Sequence, residues 1–143
     1  MTTRTRHPQL RLVALCGVLA IAATSCGGSG SGATGDVIVT LKDFSLTATP
    51  GTFAAGPITF GIDSEGPSVH EFVVLRTDDA PDALPVENGV IPEDQIDLID
   101  EVEDLAPGTS SSLDVNLDAG AYVLVCNLPA HYEQGMFAAF TVA

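Results

Sequence analysis

Within eleven consecutive residues near its end, "CNLPAHYEQGM", the chain places a cysteine, a histidine and a methionine: Cys126, His131 and Met136. These types are scarce elsewhere, since the 143 residues hold three Cys, three His and two Met. Thiolate, imidazole and thioether share one chemistry, the donation of a soft or borderline lone pair to a metal ion. Five residues of extended chain reach about 17 Å, so Cys126 and His131 share an ion only if the segment between them turns. Pro129 suits such a turn, and Gly135 lets the backbone bend again before Met136. A fourth donor, His70, stands far upstream in "VHEFVV".

The donor types select among metals. Two imidazoles and a thiolate with a weakly held thioether describe a blue-copper electron-transfer site. Zinc more often takes a second thiolate, a carboxylate or water, and an iron–sulfur cluster needs more cysteines than the chain has. Each residue also has an ordinary reading. His70 fits a core histidine, Cys126 an inert buried thiol, His131 an exposed loop residue, and Met136 core filling beside Phe137 and Phe140. One shared site accounts for all four at once, with one copper ion per chain. Tyr132 and Glu133 are expected on the loop surface, and "DLIDEVED" as a solvated acidic face.

The elements that must position these donors read as β-strands. "DVIVTL", "FSLTATPG" and "PITFGID" alternate apolar with polar residues, and Ile58, Phe60 and Ile62 share one face. "SSLDVNL" sets Leu113, Val115 and Leu117 against Asp114 and Asn116, while "VHEFVVL" is a near-continuous β-rich run. "AYVLVC" and "MFAAFTV" close the chain on either side of the donor loop. Alternation over four to eight residues, broken by "TPG", "EGP", "APG" and "DAG", predicts short strands of an antiparallel sandwich or barrel. The acidic, proline-rich stretch after Arg76 predicts a long connection; beyond it a short helix through Ile96, Ile99 and Val102 and a strand over 99–104 both fit.

With "VHEFVV" upstream, "CNLPAHYEQGM" resembles the type 1 copper site of cupredoxins. Its spacing, four residues between cysteine and histidine and four more before methionine, is most like the rusticyanin and sulfocyanin branch and also resembles cupredoxin-domain lipoproteins. The resemblance spans about residues 36–143 and is specific in the last eighteen. It implies an all-β, Greek-key β-sandwich with copper near one end, His70, Cys126 and His131 as equatorial ligands and Met136 as axial ligand. It further implies that the apolar residues around His131, among them Leu128, Pro129, Ala130 and Phe137, are where electrons enter and leave. One departure bears on the surroundings of the ligands and hence on potential: many cupredoxins follow the first histidine with Asn, and this chain has Glu71.

Residues 1–25 have the form of a secretory signal: Arg4, Arg6 and Arg11, then the twelve-residue apolar run "LVALCGVLAIAA", too short to span a bilayer. "ATSC" resembles a bacterial lipobox with Cys26 as the lipidated residue, although Ala23 stands where Leu or Val is usual; "VALC" at Cys16 fits less well because cleavage there would split the apolar run. "GGSGSGATG" behind Cys26 suits a flexible tether, so residues 26–35 are expected to link the anchor to a domain over 36–143. Loss of residues 1–25 removes three arginines and no acid, taking the net charge from −14 to −17. Such a charge argues against nucleic acid and suits a basic protein partner or plain solubility.

Three function classes follow: an electron carrier, a copper-binding or delivery protein, and a copper oxidase or reductase domain. Catalytic copper clusters need several further histidines, whereas only His70 and His131 remain after the leader, and neither is spare to serve as a base for a nucleophile. A non-enzymatic, monomeric carrier is expected, anchored on the extracytoplasmic face of the cell membrane and working with redox protein partners.

Overall fold

The computed structural model describes residues 32–143. The signal segment, Cys26 and most of the Gly/Ser tether lie outside the described residues. Nine strands form among the described residues: β1 (Val37–Lys42), β2 (Ser45–Thr49), β3 (Thr52–Phe53), β4 (Gly56–Gly66), β5 (His70–Arg76), β6 (Asp97–Leu105), β7 (Thr109–Leu117), β8 (Gly120–Val125) and β9 (Phe137–Val142). They make two sheets, a four-stranded one ordered β2-β1-β4-β7 and a five-stranded one ordered β3-β9-β8-β5-β6. The expected all-β Greek-key sandwich is the architecture found.

The alternating segments bury the faces their patterns predict. Val37, Val39 and Leu41 from β1 and Ile58, Phe60 and Ile62 from β4 are all at most 1% exposed. Phe60 packs its ring on Phe72 and Phe140 of the facing sheet, at centroid distances of 5.3 and 5.4 Å. Two pairings depart from the antiparallel expectation: β1 runs parallel to β4 and β3 parallel to β9. Alternation reports which face is buried and carries no information on strand direction, so sequence periodicity could not distinguish them.

β5 explains itself differently. Its first six residues are buried, because both faces of the strand are covered. Phe72 and Val74 face the sandwich core, whereas Val73 and Leu75 join Val123 and Val125 in a second cluster on the outer face. The long connection between β5 and β6 supplies the cover, with Leu84 and Ile91 packed into that cluster. A strand buried on both sides loses its polar alternation, which is why "VHEFVVL" is nearly continuous. Of the alternatives for residues 96–104, the strand is found, lengthened to Asp97–Leu105 and preceded by a single 3-10 turn at Glu93–Gln95. β6 forms an edge of the five-stranded sheet and exposes Asp97, Asp100, Glu103 and Asp104. Exposed charge on an edge strand discourages pairing with another chain.

Candidate metal centre

Two stretches of sequence, His70 and the loop 126–136, meet at one end of the sandwich, where the His70, Cys126 and His131 side chains come together and the Met136 backbone is bonded beside them. His70 opens β5, Cys126 follows the last residue of β8, Met136 precedes the first residue of β9, and His131 lies in the turn between them. His70, Cys126 and Met136 are fully buried; His131 is half-buried and is the one that reaches the surface.

The expected turn forms through a short series of backbone bonds. The N–H of His131 donates to Leu128 at 3.0 Å, that of Gly135 to Tyr132 at 2.9 Å, and that of Met136 to His131 at 3.1 Å. The Cys126 N–H donates to the Met136 carbonyl at 3.0 Å, closing the loop at its base. Gly135 takes φ +109°, a conformation a side chain would strain. The turn brings the Cys126 Sγ to 3.3 Å from His131 Nδ1.

Cys126 is the only free cysteine among the described residues. Burial pushes its thiol pKa up, and N–H donors from Glu71 and Leu128 pull it back by stabilising the thiolate. The Glu71 N–H stands 3.3 Å from Sγ. His131 is shifted down, first by burial and then by the nearby His70. The two imidazoles meet at 5.5 Å between centroids, with planes 64° apart.

His70 gives both ring nitrogens to protein partners. Nε2 lies 2.8 Å from Asp43 Oδ1 and Nδ1 lies 3.1 Å from Ser64 Oγ. Accordingly, no three His, Cys, Asp or Glu side chains among the described residues form a ready-made cage for an ion. The donor chemistry nevertheless fits copper: a buried thiol whose sulfur receives an N–H bond, two imidazoles within ring contact, and a thioether residue fixed by its backbone beside them.

Glu71, the departure from the usual Asn, keeps a bridging role. Its N–H meets the Cys126 sulfur and its carboxylate accepts the N–H of Asn127. The residue is 7% exposed. Burial, then the neighbouring Glu101, Glu103 and Glu93, push its pKa up to about 7.

Tyr132 corrects an expectation. It is not on the loop surface but 4% exposed, within the outer cluster. Its hydroxyl accepts the Leu84 N–H at 2.9 Å and donates to the Pro81 carbonyl at 2.8 Å. An amphipathic ring needs such partners when buried, and here they come from a connection about 50 residues earlier. Glu133 is exposed as expected. Asp43 and Asn127 escaped sequence reasoning because their partners are distant in the chain, and Ser64, six residues before His70, because it sits in a different strand. The position of Asn127 directly after Cys126 was the only local signal.

No family model matches the chain, and no curated protein matches it either. Solved structures do. A dithionite-reduced auracyanin from the photosynthetic bacterium Roseiflexus castenholzii aligns at 25% identity and TM-score 0.55, over 74% of this chain and 94% of that one. Auracyanin B aligns at 21% identity and TM-score 0.57, covering 75% and 87%. Rusticyanin from Thiobacillus ferrooxidans aligns at 18% identity and TM-score 0.56, covering 75% of each. These are all cupredoxins, and the chain has the cupredoxin fold, with the rusticyanin-like branch among its structural relatives.

Proposed function

We propose that this chain is a one-electron carrier holding a single copper ion through His70, Cys126, His131 and Met136. The observation that carries the reading is the Cys126–His131 pair: a buried thiol sulfur, bonded by a backbone N–H and held 3.3 Å from an imidazole nitrogen by a closed turn. Bound there, copper supplies a couple that accepts and returns one electron. The protein does the rest. The fully buried His70, Cys126 and Met136 keep water from the centre. The N–H groups of Glu71 and Leu128 stabilise the thiolate. The backbone bonds across 126–136 hold the donors in place, so little has to move when charge changes.

His131 is the route to the surface, and its neighbourhood is apolar. Phe44 sets its ring edge-on at 5.4 Å and is itself 41% exposed. The acids exposed on β6 suit a basic redox partner. Among the described residues only Lys42 and Arg76 are basic, and each stands by an acid, Glu65 at 3.7 Å and Asp118 at 3.8 Å. Two histidines after the leader leave none to build a catalytic copper cluster, so the reading is a carrier and not an enzyme. A lipid on Cys26 would hold the domain at the extracytoplasmic face of the membrane, on its Gly/Ser tether.

Copper delivery is the second reading, favoured only by the exposure of His131. Titration of the protein with Cu(II), followed by visible absorption, separates the two. A carrier of this kind becomes intensely coloured through charge transfer from the Cys126 thiolate and saturates at one equivalent. Cys126→Ser should abolish the colour, because a hydroxyl is a harder and less covalent donor. A colourless complex, or uptake well above one equivalent, would overturn the type 1 assignment.

A further inference from the structure

The two-residue turn between β1 and β2, Asp43–Phe44, touches both candidate histidines. Asp43 Oδ1 lies 2.8 Å from His70 Nε2, and the Phe44 ring stands against His131. We propose that Asp43 is a positioning residue for the metal centre, fixing His70 with its proton on Nε2 and setting a negative charge against the ring that lowers the reduction potential. The inference rests on the copper reading above.

The carboxylate is held in place. Ser68 donates its hydroxyl to Oδ2 at 2.6 Å and its N–H to Oδ1 at 3.3 Å. An ionised carboxylate only accepts hydrogen bonds, so the nitrogen facing it must carry the proton. Nδ1 is then the nitrogen left to donate a lone pair.

Ser64 occupies Nδ1 in a way that permits release. Its buried hydroxyl lies 3.1 Å from Nδ1 and 3.2 Å from the Leu105 carbonyl. One proton has two acceptors, so Ser64 can give up Nδ1 and still donate to Leu105. No buried group is orphaned by the exchange.

The charge argument is Coulombic. The His70 side chain is 0% exposed and that of Asp43 15%, so solvent screens the pair little. A nearby negative charge favours the more positive, oxidised metal, and a carboxylate behind a ligating imidazole raises its basicity.

Asp43→Asn separates the two effects, because the amide oxygen can still accept from Nε2 while the charge is gone. Asp43→Ala removes both. Nitrogen-15 NMR of the metal-free proteins at pH 8 reads the His70 tautomer directly. Wild type and Asp43→Asn should show the proton on Nε2, and Asp43→Ala a mixture or the Nδ1 form. With copper bound, Asp43→Asn should shift the potential upward at unchanged colour, and Asp43→Ala should also release copper severalfold faster. A wild-type tautomer in Asp43→Ala, or a wild-type potential in Asp43→Asn, overturns the proposal. If the wild type takes up no copper, the copper reading fails on that result, while the metal-free spectra still decide the role of Asp43.

Discussion

Asn127 grips Ile91 by both of its backbone groups: its Oδ1 accepts the Ile91 N–H at 2.7 Å and its Nδ2 donates to the Ile91 carbonyl at 3.0 Å. The residue next to the candidate cysteine is thereby bonded to the connection that covers the outer sheet face. Gly89 adds a third tie, accepting the Ala130 N–H at 2.8 Å. The donor loop is braced from outside as well as by its own turn.

Asn127→Ala would leave both Ile91 groups buried without partners. Each such loss costs about 1 to 3 kcal/mol, so the variant should unfold at lower urea with an unchanged m-value. Copper should also dissociate faster, because the loop loses its brace. Equal urea midpoints for variant and wild type would show that the connection does not support the loop.

How far the sequence could reach is visible in these same residues. The meeting of Cys126 and His131 was legible because scarce, chemically specific types sat at a spacing a turn can close, and the sandwich was legible because alternation marks one buried face. Asp43, Ser64 and Asn127 were not, since an ordinary polar residue gains its role only when the fold sets it against a partner on another element. Tyr132 was misplaced for a related reason. A loop position predicts exposure unless another segment folds over it, and nothing local announces that Leu84 and Pro81 will do so. Strand direction was hidden too, because β1 and β4 carry the same alternation whether they run parallel or antiparallel.

Glu71 makes the metal-free protein's stability depend on pH. Burial comes first, then Glu101, Glu103 and Glu93, in raising its pKa from 4.5 to about 7. The folded state therefore keeps a proton that the unfolded state releases, and stability falls as pH rises through that window. The full effect is on the order of 3 kcal/mol, since one pKa unit is about 1.4 kcal/mol. Glu71→Gln carries no charge to desolvate, so metal-free Gln variant should be the more stable protein at pH 8 and lose most of that advantage at pH 5. Thermal melts at the two values check this. Glu101, also raised by burial, leaves a residual slope in the variant.

Cys26 is expected to carry the membrane anchor, from the "ATSC" box and the Gly/Ser segment behind it. Cys26→Ala removes the acceptor for the lipid and leaves the domain unchanged. Cell fractionation should move the protein from the membrane pellet to the soluble extracytoplasmic fraction. A variant that pellets with the membrane as wild type does would rule out lipid attachment at this position.

Met136 is the candidate donor most able to tune the proposed centre. Its backbone is tied to Cys126 and His131, and its side chain is wholly buried within the sandwich core. A thioether held at long range donates weakly, so it should adjust potential more than affinity. Met136→Leu removes the sulfur at similar volume, and such swaps usually cost less than about 1.5 kcal/mol. Oxidised copper gains more from an extra donor than reduced copper does. Losing the thioether should therefore raise the potential with the colour retained, and Met136→Gln, which supplies a harder oxygen, should lower it. Voltammetry on wild type and both variants decides the matter. If neither substitution moves the potential, Met136 fills the core as Phe140 does, and some other group, or none, takes the fourth place beside His70, Cys126 and His131.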